Sequence, residues 1–156
     1  MQIYTRRKLP ARFLDQVIAR IHNALGGNLI AIVLFGSFAK GTAHYASDLD
    51  LLVIARALPS SRKRDALLND VFDDLIIETG IAVMPILMTE RELRYAMQVR
   101  APLLYGIITG YRVAWGALPV FSEWEHFVRD HYRLSRKYDA WIIKDRTHPQ
   151  PIPNLT

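Results

Sequence analysis

Two aspartates, Asp48 and Asp50, stand one residue apart at the start of an apolar segment. Alternate side chains of a β-strand point to the same face, so the two carboxylates would lie together, on Cα atoms about 6.5 to 7 Å apart. Carboxylates this close repel each other unless a cation lies between them. Mg²⁺ and Mn²⁺ prefer carboxylate oxygens, and Mg²⁺ commonly binds one or two carboxylates together with phosphates. The pair therefore predicts a divalent metal site.

A Gly-Ser pair precedes the aspartates and follows directly on another apolar run. Gly36 lets the backbone turn sharply and leaves room for a ligand to approach. Ser37 offers a hydroxyl and a backbone N–H, and a helical turn over residues 38–40 would present further free N–H groups to an anion. Lys40 would add a positive charge, and Gly41 would end the turn. The loop and the aspartates together are typical of a site for a metal-bound polyphosphate.

The composition indicates a single globular domain. The chain has 156 residues and is 51% hydrophobic, which excludes a disordered or fibrous protein. It has no cysteine, which excludes disulfide scaffolds and thiolate metal sites. Residues 1–13 contain no apolar signal segment, and no apolar run reaches the about 18 to 20 residues of a membrane span. These features predict a soluble, cytoplasmic protein.

The formal net charge of +5 comes with clusters of lysine and arginine at residues 6–8, 62–64 and 129–137. Such clusters can attract nucleic acid or nucleotide phosphates, but solvated helix faces have the same composition. Direct nucleic-acid binding is therefore an open alternative that the sequence does not favour.

The hydrophobic pattern predicts helices that alternate with strands. Pro85 falls within a predicted strand and indicates an edge position or a bulge, because proline cannot donate to a sheet ladder. The order of elements predicts an α+β (α/β-like) fold with a central mixed β-sheet flanked by helices. Strands are expected over residues 29–35, 49–55, 81–88 and 111–115. Helices are expected over residues 10–25 and 59–78. Two further helices are expected to begin at a capping box over residues 89–92 and at Pro102.

Beyond residue 118 the sequence predicts a C-terminal helix. A second capping box at residues 122–125 would open a helix that runs to about Ile143. We therefore expect a domain over residues 1–118, a helical extension over 119–146 and a flexible, proline-rich tail over 147–156. An aromatic stripe on this helix would pack on the domain's own sheet or form a partner interface; it comprises Trp124, Phe127, His131, Leu134, Tyr138 and Trp141.

The pattern of Gly-Ser, ten residues and Asp-x-Asp resembles the signature of the nucleotidyltransferase superfamily that includes DNA polymerase beta. More narrowly, it resembles the minimal nucleotidyltransferases of archaea and bacteria. The resemblance covers roughly residues 10–115 and implies the polymerase-beta-type nucleotidyltransferase fold. It implies that Asp48 and Asp50 are catalytic and bind Mg²⁺ or Mn²⁺. It also implies that a nucleoside triphosphate, with ATP as the first expectation, is bound by Gly36, Ser37, Lys40, Gly41 and Ser47.

The reaction that the resemblance implies is transfer of a nucleoside monophosphate, AMP above all, to a protein or small-molecule acceptor. Enzymes of this family usually have a third carboxylate on a following strand, and residues 81–88 contain none. Glu78, Glu90 and Glu92 flank that strand as candidate substitutes. The alternative is a catalytically weak or inactive nucleotidyltransferase-like protein that acts, as an antitoxin does, by binding a nucleotide or a partner protein.

Minimal members of this family are often paired with a separate helical protein of the HEPN type, as antitoxin to a ribonuclease toxin. The arginine–histidine pattern of that ribonuclease is absent from this sequence, so the resemblance implies the nucleotidyltransferase half of such a pair. The expected partners are a nucleotide and either a HEPN-type protein or a second copy of the chain, bound through the C-terminal helix. No membrane partner is expected.

Overall fold

The computed structural model describes residues 5–144, which form a four-stranded mixed β-sheet, a two-stranded hairpin and seven α-helices. None of the helices within these residues is long and apolar enough to cross a membrane. The helices are α1 (Phe13–Leu25), α2 (Gly36–Lys40), α3 (Ser61–Arg64), α4 (Asp73–Thr79), α5 (Glu90–Gln98), α6 (Pro102–Ile108) and α7 (Pro119–His131). The strands are β1 (Leu29–Phe35), β2 (Leu49–Ala55), β3 (Val83–Thr89), β4 (Arg112–Gly116), β5 (Tyr132–Ser135) and β6 (Ala140–Ile143).

The four-stranded sheet has the order β3-β2-β1-β4. β1 pairs antiparallel with β2 and with β4, whereas β2 pairs parallel with β3, so the predicted mixed sheet is confirmed. Apart from Asp50, the two central strands consist of apolar residues, as expected of strands covered on both faces. β3 lies at an edge, which confirms the position that Pro85 indicates, because an edge strand can leave the missing N–H outside the ladder.

Helices cover both faces of the sheet, and the side chains of β1 alternate between the two cores. Ile32 packs in a cluster with residues of α1 and α4. Val33 packs on the opposite face with residues of α5, α6 and α7, among them the fully buried Trp124. The sheet is therefore a rigid layer between two hydrophobic cores, and its ends are the natural place for a site.

The single helix predicted over residues 59–78 is wrong. α3 is followed by a short 3₁₀ turn, and α4 begins only at Asp73. Asp70, in the interruption, has a φ angle of 60°, a left-handed conformation that a helix interior does not allow. Asn69 and Asp70 favour turns, because their short polar side chains compete for the backbone groups that a helix needs.

The helix predicted from a capping box at residues 122–125 to about Ile143 is wrong at both ends, and residues 122–125 lie inside α7. α7 begins at Pro119, where the missing N–H costs nothing, and it ends at His131. The chain then forms the β5–β6 hairpin, closed by a four-residue turn over 136–139. Aromatic and β-branched residues at 141–143 favour a strand over a helix.

The predicted aromatic stripe is therefore divided between two elements. Trp124 and Phe127 lie on α7 and are buried in the core that covers the sheet. For these two residues, the predicted packing on the domain's own sheet is confirmed. Trp141 lies on the hairpin and donates its Nε1 hydrogen to the backbone oxygen of Tyr105 at 2.9 Å. The tail expected over residues 147–156 lies outside the described residues.

Candidate functional site

The pairing of β1 with β2 brings the Gly-Ser loop to the two aspartates. Phe35, the last residue of β1, lies opposite Asp50 of β2. Gly36 follows directly and begins α2. Residues that a whole loop separates in the sequence are thus neighbours at one end of the two central strands.

Gly36 lies against the carboxylate of Asp50. Its φ angle is +70°, in the left-handed region that favours glycine. A Cβ atom at this position would lie 2.2 Å from Oδ2 of Asp50 and 3.0 Å from its Cγ. The sequence predicts that glycine leaves room here for a ligand. In the structure, the carboxylate of Asp50 itself uses part of that room.

The short helix α2 begins earlier than the sequence predicts. Its first N–H groups, those of Gly36 and Ser37, have no acceptor within the helix. Gly41 ends the helix with a φ angle of 69°, and Thr42 donates its N–H to the carbonyl oxygen of Ser37 at 2.9 Å. Ser37 is half-buried and Lys40 is exposed. The loop can therefore present N–H groups and one cation to an anion.

Ser47 stabilises the turn that leads into Asp48. Its Oγ accepts a hydrogen bond from the backbone N–H of His44 at 2.9 Å. Its own backbone N–H donates to the carbonyl oxygen of His44 at 3.0 Å, and the residue is buried. These contacts hold the backbone immediately before Asp48, and nucleotide binding by Ser47 stays a prediction.

Arg7 holds the same loop from outside, and the sequence does not reveal this role. Its guanidinium donates to the carbonyl oxygens of Tyr45 at 2.7 Å and of Thr79 at 2.5 Å. Its backbone N–H donates to the carbonyl oxygen of Ala43 at 2.8 Å. In the sequence, Arg7 belongs to a basic cluster that is typical of a solvated surface. Its acceptors are backbone oxygens far along the chain, which no sequence pattern marks.

The two aspartates differ in exposure. Asp48 is exposed, whereas Asp50 is half-buried. Burial raises the pKa of the Asp50 carboxyl, and the negative charge of Asp48 raises that pKa further. A divalent cation between the carboxylates would offset their repulsion and favour the ionised form of Asp50. Two carboxylates suit Mg²⁺, which completes its coordination with water and phosphate oxygens.

The neighbouring strand supplies no third carboxylate. Met84 of β3 lies opposite Asp50 in the parallel register, and its side chain is 51% exposed. Within residues 5–144, no group of three or more histidine, cysteine, aspartate or glutamate side chains could hold a metal ion. The site described here therefore rests on two carboxylates.

Within residues 5–144, none of the three flanking glutamates joins the two aspartates in a group that could hold a metal ion. Glu92 closes the capping box of α5, and hydrogen bonds from Arg64 at 2.7 and 2.9 Å lower the pKa of Glu92 to about 2. Glu90 forms an ion pair with Arg94 at 2.7 Å. Glu78 is exposed near the end of α4. Glu92 and Glu90 thus have structural partners of their own. The predicted capping box, formed by Thr89 and Glu92, is confirmed.

This fold and this pair of aspartates define a nucleotidyltransferase domain. Residues 16–112 match the family described as "Nucleotidyltransferase domain", and the chain belongs to that family. A protein of Methanocaldococcus jannaschii named "Putative protein adenylyltransferase MJ1305" is 41% identical over 107 residues, which cover 68% of this chain and 71% of the relative.

Two solved structures share the fold. One, described as a "toxin-antitoxin with AMP-PNP", has a TM-score of 0.50 and 24% identity, and the match covers 73% of this chain and 82% of the other. The other is spectinomycin adenyltransferase AAD(9) from Enterococcus faecialis, solved with ATP and spectinomycin, with a TM-score of 0.55 and 15% identity. That match covers 74% of this chain and 59% of the other chain. At these identities the likeness shows the fold, and it confirms the predicted nucleotidyltransferase fold.

Gly36→Ala tests the contact between the loop and Asp50, with Gly41→Ala as the matched control. The φ angles of the two glycines are 70° and 69°, so both variants bear the same backbone cost of about 1 to 2 kcal/mol. A Cβ at position 41 meets no atom within 4 Å, whereas one at position 36 overlaps the carboxylate. We expect Gly36→Ala to lose about 1 to 3 kcal/mol more unfolding free energy through overpacking.

Urea denaturation measures the stability of both variants, and calorimetric titration with Mn²⁺ measures the metal site. Gly36→Ala should also bind the metal more weakly than Gly41→Ala, since the carboxylate of Asp50 must move. Equal stability losses in the two variants would contradict the contact.

Asp48→Asn is expected to lower the pKa of Asp50 only in part, because burial is the larger cause and remains. A carboxyl whose pKa is raised on folding binds more protons in the folded than in the unfolded state. Its contribution to stability therefore falls as pH rises from the unfolded value of about 3.9 through the higher folded value. Without divalent ions, Asp48→Asn should consequently lose less stability than the wild type over that pH range.

Carboxyl ¹³C NMR titration measures the Asp50 pKa directly. Asp73→Asn, an exposed aspartate on α4, is the control and should leave the titration of Asp50 unchanged. An Asp50 pKa that is the same in Asp48→Asn and in the wild type would show that the two carboxylates do not interact.

Proposed function

We propose that this protein transfers a nucleoside monophosphate, with AMP as the first candidate, from the Mg²⁺ complex of a nucleoside triphosphate to a protein or small-molecule acceptor. The observation that carries the proposal is the Asp48–Asp50 pair, packed against Gly36 and with a raised Asp50 pKa. The name of the M. jannaschii relative supports AMP and a protein acceptor. AMP-PNP and ATP in the descriptions of the two structural neighbours agree with an adenine nucleotide.

Each part of the site has a separate role in this proposal. Asp48 and Asp50 hold the metal ion, which, when bound, offsets the charge of the phosphates and of the leaving pyrophosphate. The free N–H groups of Gly36 and Ser37 bind phosphate oxygens, and Lys40 adds a positive charge. Ser47 acts by stabilising the turn before Asp48, through the hydrogen bond that its Oγ accepts from the backbone N–H of His44.

In the transfer step, an oxygen of the acceptor bonds to the α-phosphorus, and the bond from that phosphorus to the bridging oxygen of pyrophosphate breaks. The acceptor hydroxyl gives up its proton. Met84 lies opposite Asp50 in the register, and within residues 5–144 no third carboxylate lies at this site. The proton therefore passes to water. The chain contributes chiefly by binding the triphosphate and aligning it with the acceptor oxygen.

Met84 also favours a second candidate function, in which binding matters more than turnover. A site with two carboxylates can hold a metal-bound nucleotide while lacking the base that speeds proton removal. Such a protein would act by binding its partner, as the antitoxin of a toxin–antitoxin pair does, and one structural neighbour comes from such a pair. The partner we propose is a helical HEPN-type protein or a second copy of the chain, bound through the exposed face of α7.

Isothermal titration with ATP and the other nucleoside triphosphates, with and without Mg²⁺, tests the site that both functions share. We expect Mg²⁺-dependent binding by the wild type. Asp48→Asn and Asp50→Asn should each weaken it by about tenfold or more, because each removes one charged metal ligand. Asp73→Asn is again the matched control. A folded wild-type protein that binds no nucleoside triphosphate would refute the proposal.

Met84→Glu separates an enzyme from a binding protein, with the uncharged Met84→Gln as its control. We measure release of pyrophosphate from ATP, with water as the acceptor. If the absent base limits turnover, Met84→Glu should raise the rate by about tenfold or more, and Met84→Gln should not. Wild-type turnover that Met84→Glu does not raise would favour an enzyme that needs no third carboxylate. Binding without turnover in all three proteins would favour the binding function.

A further inference from the structure

The side chain of Lys40 crosses the backbone of Gly110, in the turn that joins α6 to β4. A Cβ atom on Gly110 would lie 2.7 Å from Cγ of Lys40, 3.7 Å from Cδ and 3.6 Å from Cε. The aliphatic stem of Lys40 thus lies along this turn. Only a residue without a side chain leaves space for it.

The backbone conformation does not explain the glycine. Among the described residues, the glycines with positive φ are Gly26, Gly36, Gly41, Gly80 and Gly116, and Gly110 is not one of them. Another residue could adopt the backbone angles of Gly110 without the strain that a left-handed conformation brings. The requirement at this position is therefore the space that Lys40 occupies.

Tyr111 fixes the turn that carries Gly110. Its hydroxyl donates to the carboxylate of Glu125 on α7, and its ring packs edge-on against Phe121 with centroids 4.9 Å apart. Burial and the Glu125 hydrogen bond raise the pKa of Tyr111 to about 12, so the hydroxyl keeps its hydrogen at neutral pH. Arg129 donates to the same carboxylate at 2.9 Å, which holds Glu125 in place.

These contacts form a continuous series from α7 to the nucleotide-binding loop. Glu125 lies beyond residues 16–112, the part of the chain that matches the family. It holds Tyr111, which fixes Gly110, and Gly110 in turn guides the stem of Lys40. A lysine has four rotatable bonds, so a stem already held along a rigid turn loses less conformational entropy when its ammonium group binds an anion.

We infer that Gly110 and Tyr111 are positioning residues that set the Lys40 ammonium group for the triphosphate, and that α7 supports them through Glu125. This inference rests on the proposed function, because the anion in question is the triphosphate of the bound nucleotide. It assigns the C-terminal part of the chain a share in nucleotide affinity without any direct contact to the nucleotide.

A double-mutant cycle on the affinity for MgATP tests the inference. Gly110→Ala should weaken binding by about three- to tenfold, and Lys40→Ala by at least as much, as expected for the loss of one charged contact. The double variant should bind like Lys40→Ala alone, because Gly110 acts through Lys40. Gly106→Ala on α6 is the matched control, since a Cβ there meets no atom within 4 Å. It should bind ATP like the wild type.

Tyr111→Phe provides the second variant. It keeps the ring that packs on Phe121 and removes the hydroxyl that donates to Glu125. We expect a weaker affinity for MgATP that again disappears in the Lys40→Ala background. If Gly110→Ala or Tyr111→Phe weakens binding equally with and without Lys40, the residues act on general structure and the inference is overturned.

A second readout does not depend on nucleotide binding. Reductive ¹³C-methylation gives each lysine an NMR signal, and Lys40→Ala identifies the signal of Lys40. Gly110→Ala should shift this signal, whereas Gly106→Ala should not. An unshifted signal overturns the positioning of Lys40. A wild-type protein that binds no ATP refutes the proposed function instead, and the two failures are thereby distinguished.

Discussion

The contact between the Gly36 backbone and the carboxylate of Asp50 is the constraint on which the site depends. It places a half-buried negative charge beside a second one, which is unfavourable and raises the pKa of Asp50. The arrangement persists because β1 and β2, the strands that end there, are buried on both faces and cannot shift without exposing apolar surface. The stability of the sheet thus maintains an electrostatic strain that a metal ion would relieve.

Polar contacts with the backbone then hold the loop between the two strands. Ser47 hydrogen-bonds His44 within the turn before Asp48, and Arg7 binds the carbonyl oxygens of Tyr45 in that loop and of Thr79 at the end of α4. These contacts leave the carboxylates, the first N–H groups of α2 and the exposed Lys40 available for a ligand. The hydrogen bonds that hold the loop are thus separate from the groups proposed to bind the ligand.

The chemistry that follows is decided by one register position. Met84 lies opposite Asp50, so β3 supplies no third carboxylate that could accept a proton at the proposed site. The two proposed functions, transfer to an acceptor and binding to a partner, would use the same two-carboxylate site, and the missing base would slow only the transfer. α7 packs into the core through its own residue Trp124. Its residue Glu125 also accepts the hydrogen bond from Tyr111 that supports the turn beside Lys40.

Local patterns in the sequence determined the four strands of the mixed sheet, the edge position of Pro85, the capping box at Thr89 and the identity of the paired aspartates, because each depends on residues close together in the chain. Tertiary structure alone decided the features that join distant segments. The register of Phe35 against Asp50, the hydrogen bonds of Arg7 to backbone oxygens and the passage of Lys40 over Gly110 arise from long-range packing, which leaves no periodic signal. The same reason explains the end of α7. The hydrophobic periodicity is compatible with a longer helix, but the chain forms the hairpin, in which Trp141 donates a hydrogen bond to the backbone oxygen of Tyr105 on α6.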